Sequence, residues 1–220
     1  MQDNPRLGIA LMIATTVVFA VQDGISRYLA ENYNVITVVT IRYMFFMCFV
    51  LAYSSRQKGG IRQVASSGQL PLQIGRGLLL VAQICVAILS FSTVGLVNFH
   101  AVFASYPLMV MALSVPVLGE PVGWRRWLAV CVGFCGVLLI LRPGTDMFSS
   151  ASILPVLAAF MIAVYGILTR YAARRDAAET SFFWTAMAGG IAMLCIGPFF
   201  WLPPIGSDWG WMGLLCLTGT

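Results

Sequence analysis

Long apolar runs separated by short polar breaks set the pattern of this chain. The runs fall at about residues 7–29, 35–53, 74–95, 98–118, 127–141, 153–171 and 180–201, and an eighth begins at Trp209. Several approach or exceed the roughly 20 apolar residues that cross about 30 Å of hydrocarbon. In that solvent the backbone must satisfy its own polar groups, which favours helices. The runs are too long and too continuous to be barrel strands. The expected fold class is therefore all-α, a polytopic helical membrane protein. The longest polar break is 54–69, and a Pro-Gly turn lies within 142–150.

The pattern repeats. Residues 19–30 align without a gap on 162–173, an offset of 143 as between Arg27 and Arg170. Ala20, Val21, Arg27, Tyr28 and Ala30 recur as Ala163, Val164, Arg170, Tyr171 and Ala173. Five runs separate the copies, an odd number, so the second copy is expected to be inverted, as in many secondary transporters. The domain expectation is a first five-helix repeat at 1–145 and the start of a second at 146–220. A second copy of equal length is not completed by Thr220, so a fragment of a ten-helix protein is expected.

Composition agrees with a membrane solvent. The chain is 60% hydrophobic and 10% charged, with a mean hydropathy of +0.88, whereas soluble domains carry about 25% charged residues. The net charge of +5 comes from basic residues in short polar breaks and gives no reason to expect nucleic acid. With the N-terminus inside, Arg6, Arg56, Lys58, Arg62, Arg76, Arg125, Arg126, Arg170, Arg174 and Arg175 are read as cytoplasmic. The six cysteines all fall inside apolar runs and suggest no disulfide framework. Cys131 and Cys135 share a helix face and read as packing residues rather than a metal pair; no metal and no cofactor is expected. Trp124, Trp127, Trp201, Trp209 and Trp211 read as interfacial anchors.

Residues 106–143 carry a family resemblance: Pro107 in the fourth run, then Leu118-Gly119-Glu120, Arg125-Arg126-Trp127, Gly133 and Gly136, and Pro143-Gly144. This resembles EamA-type members of the drug/metabolite transporter superfamily. The resemblance implies ten helices in two inverted five-helix repeats and export of small metabolites, often amino acids.

The polar residues inside the runs are the candidate chemistry. Asp23 is the only acidic residue deep in a run, and such residues usually face a cavity or a partner. At about 1.5 Å per residue, Asp23 and Arg42 lie roughly 7 and 4 Å outward of their helix centres, which allows an Asp23–Arg42 pair. The bland alternative is Asp23–Arg27 at i,i+4; direct contact with substrate or proton also stays open. Gln22 and Ser26 share the face of Asp23. Gln83 lies mid-run and needs a partner. His100, the only histidine, would titrate near neutral pH. Phe103, Tyr106 and Tyr165 are candidate aromatic walls. Gln22, Asp23, Arg42, Gln83, His100, Phe103, Tyr106 and Tyr165 thus form the proposed substrate-binding set. Pro107 is the proposed hinge, since it removes a donor and kinks a helix. Glu120 is read as capping the fifth helix, and Gly133 and Gly136 as allowing close helix packing.

One acid, one base, amides and aromatic faces suit a small zwitterion with an apolar side chain. The expected function is a secondary transporter exporting neutral or aromatic amino acids or their derivatives, without enzymatic activity. The alternatives are another drug or metabolite specificity and a non-transporting structural fragment; an intramembrane enzyme is disfavoured because no nucleophile–base–orienter set is visible. The partners are a small-molecule substrate and the lipid bilayer, with a homodimer left open. The bacterial inner membrane is the expected location.

Overall fold

The computed structural model describes residues 5–57, 59–119, 123–141, 153–206 and 208–219, and the described segments are helical with short connections. The helices are α1 (Pro5–Asn32), α2 (Val35–Ser55), α3 (Gly60–Val64), α4 (Leu70–Val94), α5 (Leu96–Phe103), α6 (Tyr106–Leu118), α7 (Trp124–Leu141), α8 (Ile153–Ala172), α9 (Ala178–Ile196) and α10 (Asp208–Thr218). A 3-10 turn, Gly197–Phe200, continues α9. Among the described residues, five helical segments are long and apolar enough to cross a membrane by length and composition: Val35–Ser55, Leu70–Val94, Leu96–Val117, Ile153–Ala172 and Ala178–Phe200.

Local chemistry places the boundaries. Asn34, in extended conformation, accepts from the Ile36 amide at 3.0 Å and caps α2. Pro71 sits in the first turn of α4, where its missing N–H costs nothing. That start is four residues earlier than the apolar run suggests, because the polar Gln73 belongs to the helix. Gly119 ends α6 with φ of +69°, a left-handed cap for which glycine is the default residue. The Leu-Gly-Glu motif thus contains a helix stop; Glu120 itself lies outside the described residues.

The fourth run is two helices. It breaks at Ala104 and Ser105, where the Ser105 hydroxyl donates to the Val102 carbonyl at 2.7 Å. Pro107 therefore does not kink the middle of a continuous helix, as the sequence suggested. It lies in the first turn of α6, where proline is tolerated. The proline inside α6 is Pro116.

α4 stands at the centre, packed on α8 and α9, with α2 also on α9, α6 on α8 and α1 on α10. The main buried cluster joins Val39 and Tyr43 of α2, Val81, Ile88 and Phe91 of α4, Phe99 of α5, Ala158 of α8 and Met193 of α9. In lipid, helices associate through van der Waals fit rather than exclusion of water, so small residues matter. Gly189 of α9 lies directly under the Tyr43 ring, in space a Cβ would need. Gly133 of α7 faces Leu108 of α6 in the same way, whereas no described residue lies within 4 Å of a Cβ placed on Gly136.

Two polar contacts tie early helices to late ones at the two ends of α9. In the connection before α9, Asp176 accepts from the Ser67 hydroxyl at 2.5 Å, the Gly68 amide at 3.0 Å and the Gln73 amide at 2.8 Å. After α9, Tyr33 donates its hydroxyl to Asp208 at 2.6 Å and accepts from the Ile205 amide at 3.0 Å. The donors from Gln73, Ser67 and Gly68 hold the Asp176 carboxyl below its ordinary value of 3.8. The folded pKa being depressed, the contact is fully present above the ordinary value and is lost as pH falls through the lower one.

Two outcomes are expected. Gly189→Val should cut the monodisperse fraction in size-exclusion chromatography severalfold, because overpacking costs about 1–3 kcal/mol, while Gly24→Ala, with no neighbour within 4 Å, should not. Hydrogen exchange should find the Gly68 amide protected in the wild type down to pH 4 and unprotected in Asp176→Ala at neutral pH. Equal protection in the two proteins would rule out the proposed tie.

Candidate functional site

A cavity of about 380 Å³ opens between α2, α4, α8 and α9. Its walls include the rings of Tyr43, Phe46, Tyr165 and Phe182, the guanidinium groups of Arg42 and Arg76, and the hydroxyls of Thr169, Ser181 and Thr185. Ala173 and Ala178 mark the end near the α8–α9 connection, and Gly219 marks the side toward α10. The helix periodicity makes this wall: Tyr165 and Thr169 lie one turn apart on α8, as do Ser181 and Thr185 on α9.

Arg76, read from the sequence only as a cytoplasmic basic residue near the start of the third run, is 2% exposed inside α4. Its Nη2 donates to Gln73 Oε1 at 2.9 Å, the Ser181 carbonyl at 2.7 Å and Thr185 Oγ1 at 3.0 Å. Its Nη1 donates to Thr169 Oγ1 at 3.0 Å and, at 3.4 Å, to the Tyr165 hydroxyl. The Tyr165 ring centre lies 5.2 Å from Cζ, within cation–π range. Gln73 then passes its other end to Asp176 and Ser181. One signal was present in the sequence: Gln73 and Arg76 stand at i,i+3, followed by an unbroken apolar run.

Arg42 lies at the other side of the cavity. The Gln22 amide, assigned from its network with the oxygen toward Arg42, accepts from the two terminal nitrogens at 2.9 and 2.5 Å and donates to the Thr218 carbonyl at 3.3 Å. Gln22 is 5% exposed, so these bonds satisfy a group that would otherwise be stranded.

Asp23 makes a different partnership from the one expected. Its Oδ2 lies 3.1 Å from His100 Nε2. Arg42 acts on it through the field and, among the described residues, forms no ion pair with it within 4.0 Å. The i,i+4 alternative also fails, because Arg27 turns the other way to Glu31 at 2.8 Å. His100 in turn sits among rings: Phe91 at 6.0 Å, Phe99 at 5.2 Å and Phe103 at 6.5 Å between centres. Phe103 continues to Tyr106 at 5.4 Å.

The expected substrate-binding set therefore divides. Arg42 and Tyr165 line the cavity, and Gln22 supports Arg42. Asp23, His100, Phe103 and Tyr106 form a second cluster across α1, α5 and the start of α6. Gln83 is buried in α4 and is not part of the cavity wall. A double-mutant cycle separates the two possible Asp23 pairings. Asp23→Asn and His100→Gln should be strongly non-additive in folded yield, while Asp23→Asn and Arg42→Gln should come closer to additive. The reverse ranking would restore the Asp23–Arg42 pair.

Comparison with known proteins gives the cavity a context. Residues 6–142 match the EamA-like transporter family. An S-adenosylmethionine uptake transporter of Rickettsia felis is 26% identical over 213 residues, covering 97% of this chain and 70% of the relative. A second protein of that name, from Rickettsia prowazekii, is 23% identical over 201 residues, 90% of this chain and 66% of the relative. A riboflavin transporter of Vibrio cholerae is 29% identical over 180 residues, 80% of this chain and 60% of the relative. The chain thus spans between about three-fifths and seven-tenths of the length of these relatives. No solved structure matches it. With helices of membrane-spanning length, a cavity between them and the family match over 6–142, this chain is an integral membrane protein that belongs to the EamA-like transporter family.

Proposed function

We propose that the protein containing this chain is a secondary transporter that takes up a small metabolite bearing an aromatic ring system, through the cavity between α2, α4, α8 and α9. The observation that carries this reading is the cavity wall itself: Tyr43, Phe46, Tyr165 and Phe182 between Arg42 and Arg76. Rings flanked by guanidinium groups favour a flat, polar-edged solute over an aliphatic one. Transporter folds place such sites between repeats, and this cavity is walled by helices from both sides of the proposed repeat boundary.

Uptake replaces export as the proposed direction. Export of neutral or aromatic amino acids or their derivatives was the expectation from the polar and aromatic residues of the runs and from the family resemblance, but the Rickettsia relatives are named for uptake of S-adenosylmethionine and others for riboflavin. Both of those solutes carry a heteroaromatic ring, the feature the cavity wall suits. S-adenosylmethionine is itself an amino-acid derivative, so that part of the expected substrate class is kept. The bacterial inner membrane, with the N-terminus and residues 54–69 cytoplasmic, remains the proposed placement on the loop-charge bias.

The test is counterflow in proteoliposomes holding the full-length protein, with radiolabelled S-adenosylmethionine, riboflavin and leucine as separate probes. Saturable flux of an aromatic probe with none of leucine is expected. Tyr165→Ala and Arg42→Gln should each lower that flux about tenfold or more, equal to roughly 1.4 kcal/mol of lost stabilisation per tenfold. Leucine flux alone, or flux indifferent to both substitutions, would refute the reading.

A further inference from the structure

We infer that Arg76 anchors an anion subsite in this cavity, and that the transported solute carries a carboxylate that docks on the Nη1 edge of Arg76 between Tyr165 and Thr169. The inference rests on the transport reading above and names the solute's charged group.

A buried charge in an apolar bundle is normally paired. Among the described residues, neither ion pair within 4.0 Å involves Arg76. Its hydrogen bonds go to an amide oxygen, a backbone carbonyl and three hydroxyls, all neutral acceptors. Its Nε, fully buried, has no acceptor at all. The carboxylate that influences it, Asp176, stands one residue away, reached only through the Gln73 amide and engaged by Ser67 and Gly68. The site is thus rich in dipoles and short of counter-charge.

The two terminal nitrogens are not equivalent. Nη2 is held by three acceptors at 3.0 Å or less, one of them a carbonyl that cannot turn away. Nη1 is held by two hydroxyls, and the Tyr165 contact is long at 3.4 Å. Both hydroxyls belong to residues of the cavity wall. A hydroxyl is donor as well as acceptor, so Tyr165, whose oxygen faces Arg76, is able to direct its O–H toward an incoming anion and donate to it. A carboxylate there would receive one charge-assisted bond from Nη1 and one from the Tyr165 hydroxyl, the stronger kind of hydrogen bond. Arg42 differs in its partners: the Gln22 oxygen accepts from both of its terminal nitrogens, and Asp23 lies within its field. The ring system of the solute then lies along Tyr43, Phe46 and Phe182.

The experiment compares an acid with its neutral isostere. Phenylacetate and phenylacetamide are titrated calorimetrically into the full-length protein in nanodiscs of zwitterionic lipid. The acid is expected to bind at least tenfold more tightly than the amide. The preference should vanish in Arg76→Gln and survive in part in Arg76→Lys, which keeps the charge without the fork. Equal affinities in the wild type, no binding of either probe, or a preference that persists in Arg76→Gln would each overturn the subsite. If Arg76→Gln fails to fold, the wild-type comparison decides alone. Loss of the preference when phosphatidylglycerol is added would assign the position to a lipid phosphate and overturn the solute assignment. Failure of the transport reading looks different: binding with the acid preference intact, but no counterflow of any probe.

Discussion

A guanidinium inside an apolar bundle dictates its surroundings. Arg76 keeps its proton and is almost entirely covered, so the helices around it supply acceptors in fixed positions. α8 supplies Thr169 and Tyr165, α9 supplies Ser181 and Thr185, and α4 itself supplies Gln73. The register of α8 and α9 against α4 is set by these bonds more than by apolar contact, since lipid tails compete equally well for apolar faces. The cavity exists beside Arg76 for the same reason. Polar side chains turned inward from three helices leave space that apolar side chains would have filled.

The cavity and the Asp23–His100 cluster lie in sequence, joined by Arg42. Gln22 and Asp23 are neighbours on α1; one supports Arg42 by hydrogen bonds and the other acts on it through the field. A change in the charge of Asp23 is therefore felt by a residue of the cavity wall without any contact being broken. His100 holds Asp23 from α5, the half of the fourth span that precedes the break at Ala104 and Ser105. The break thus separates the helix that touches the charge pair from α6, which packs on α8.

Much of this was legible in the sequence. Run lengths gave the helices and their order, and Tyr165 was among the candidate aromatic walls. Depth along a helix singled out Asp23 and Arg42. It did not identify who meets whom, because depth is one coordinate and pairing also needs the helix rotation. Asp23 and Arg42 share a depth, yet α1 presents Asp23 to α5. Arg76 was not among the site candidates for another reason. Counting basic residues near the ends of apolar runs gives a side of the membrane and says nothing of burial. The break before Pro107 was visible as a proline, but not its position, since proline opens a helix as readily as it bends one.

The ties at the two ends of α9 share a design. Each sets a carboxylate against uncharged donors: Ser67, Gly68 and Gln73 on Asp176, Tyr33 on Asp208. Mobile ions screen charge against charge and have little purchase on a carboxylate held by hydroxyls and amides. The ends of the bundle are thereby shielded from the ionic conditions on either face of the membrane, which for most cells differ.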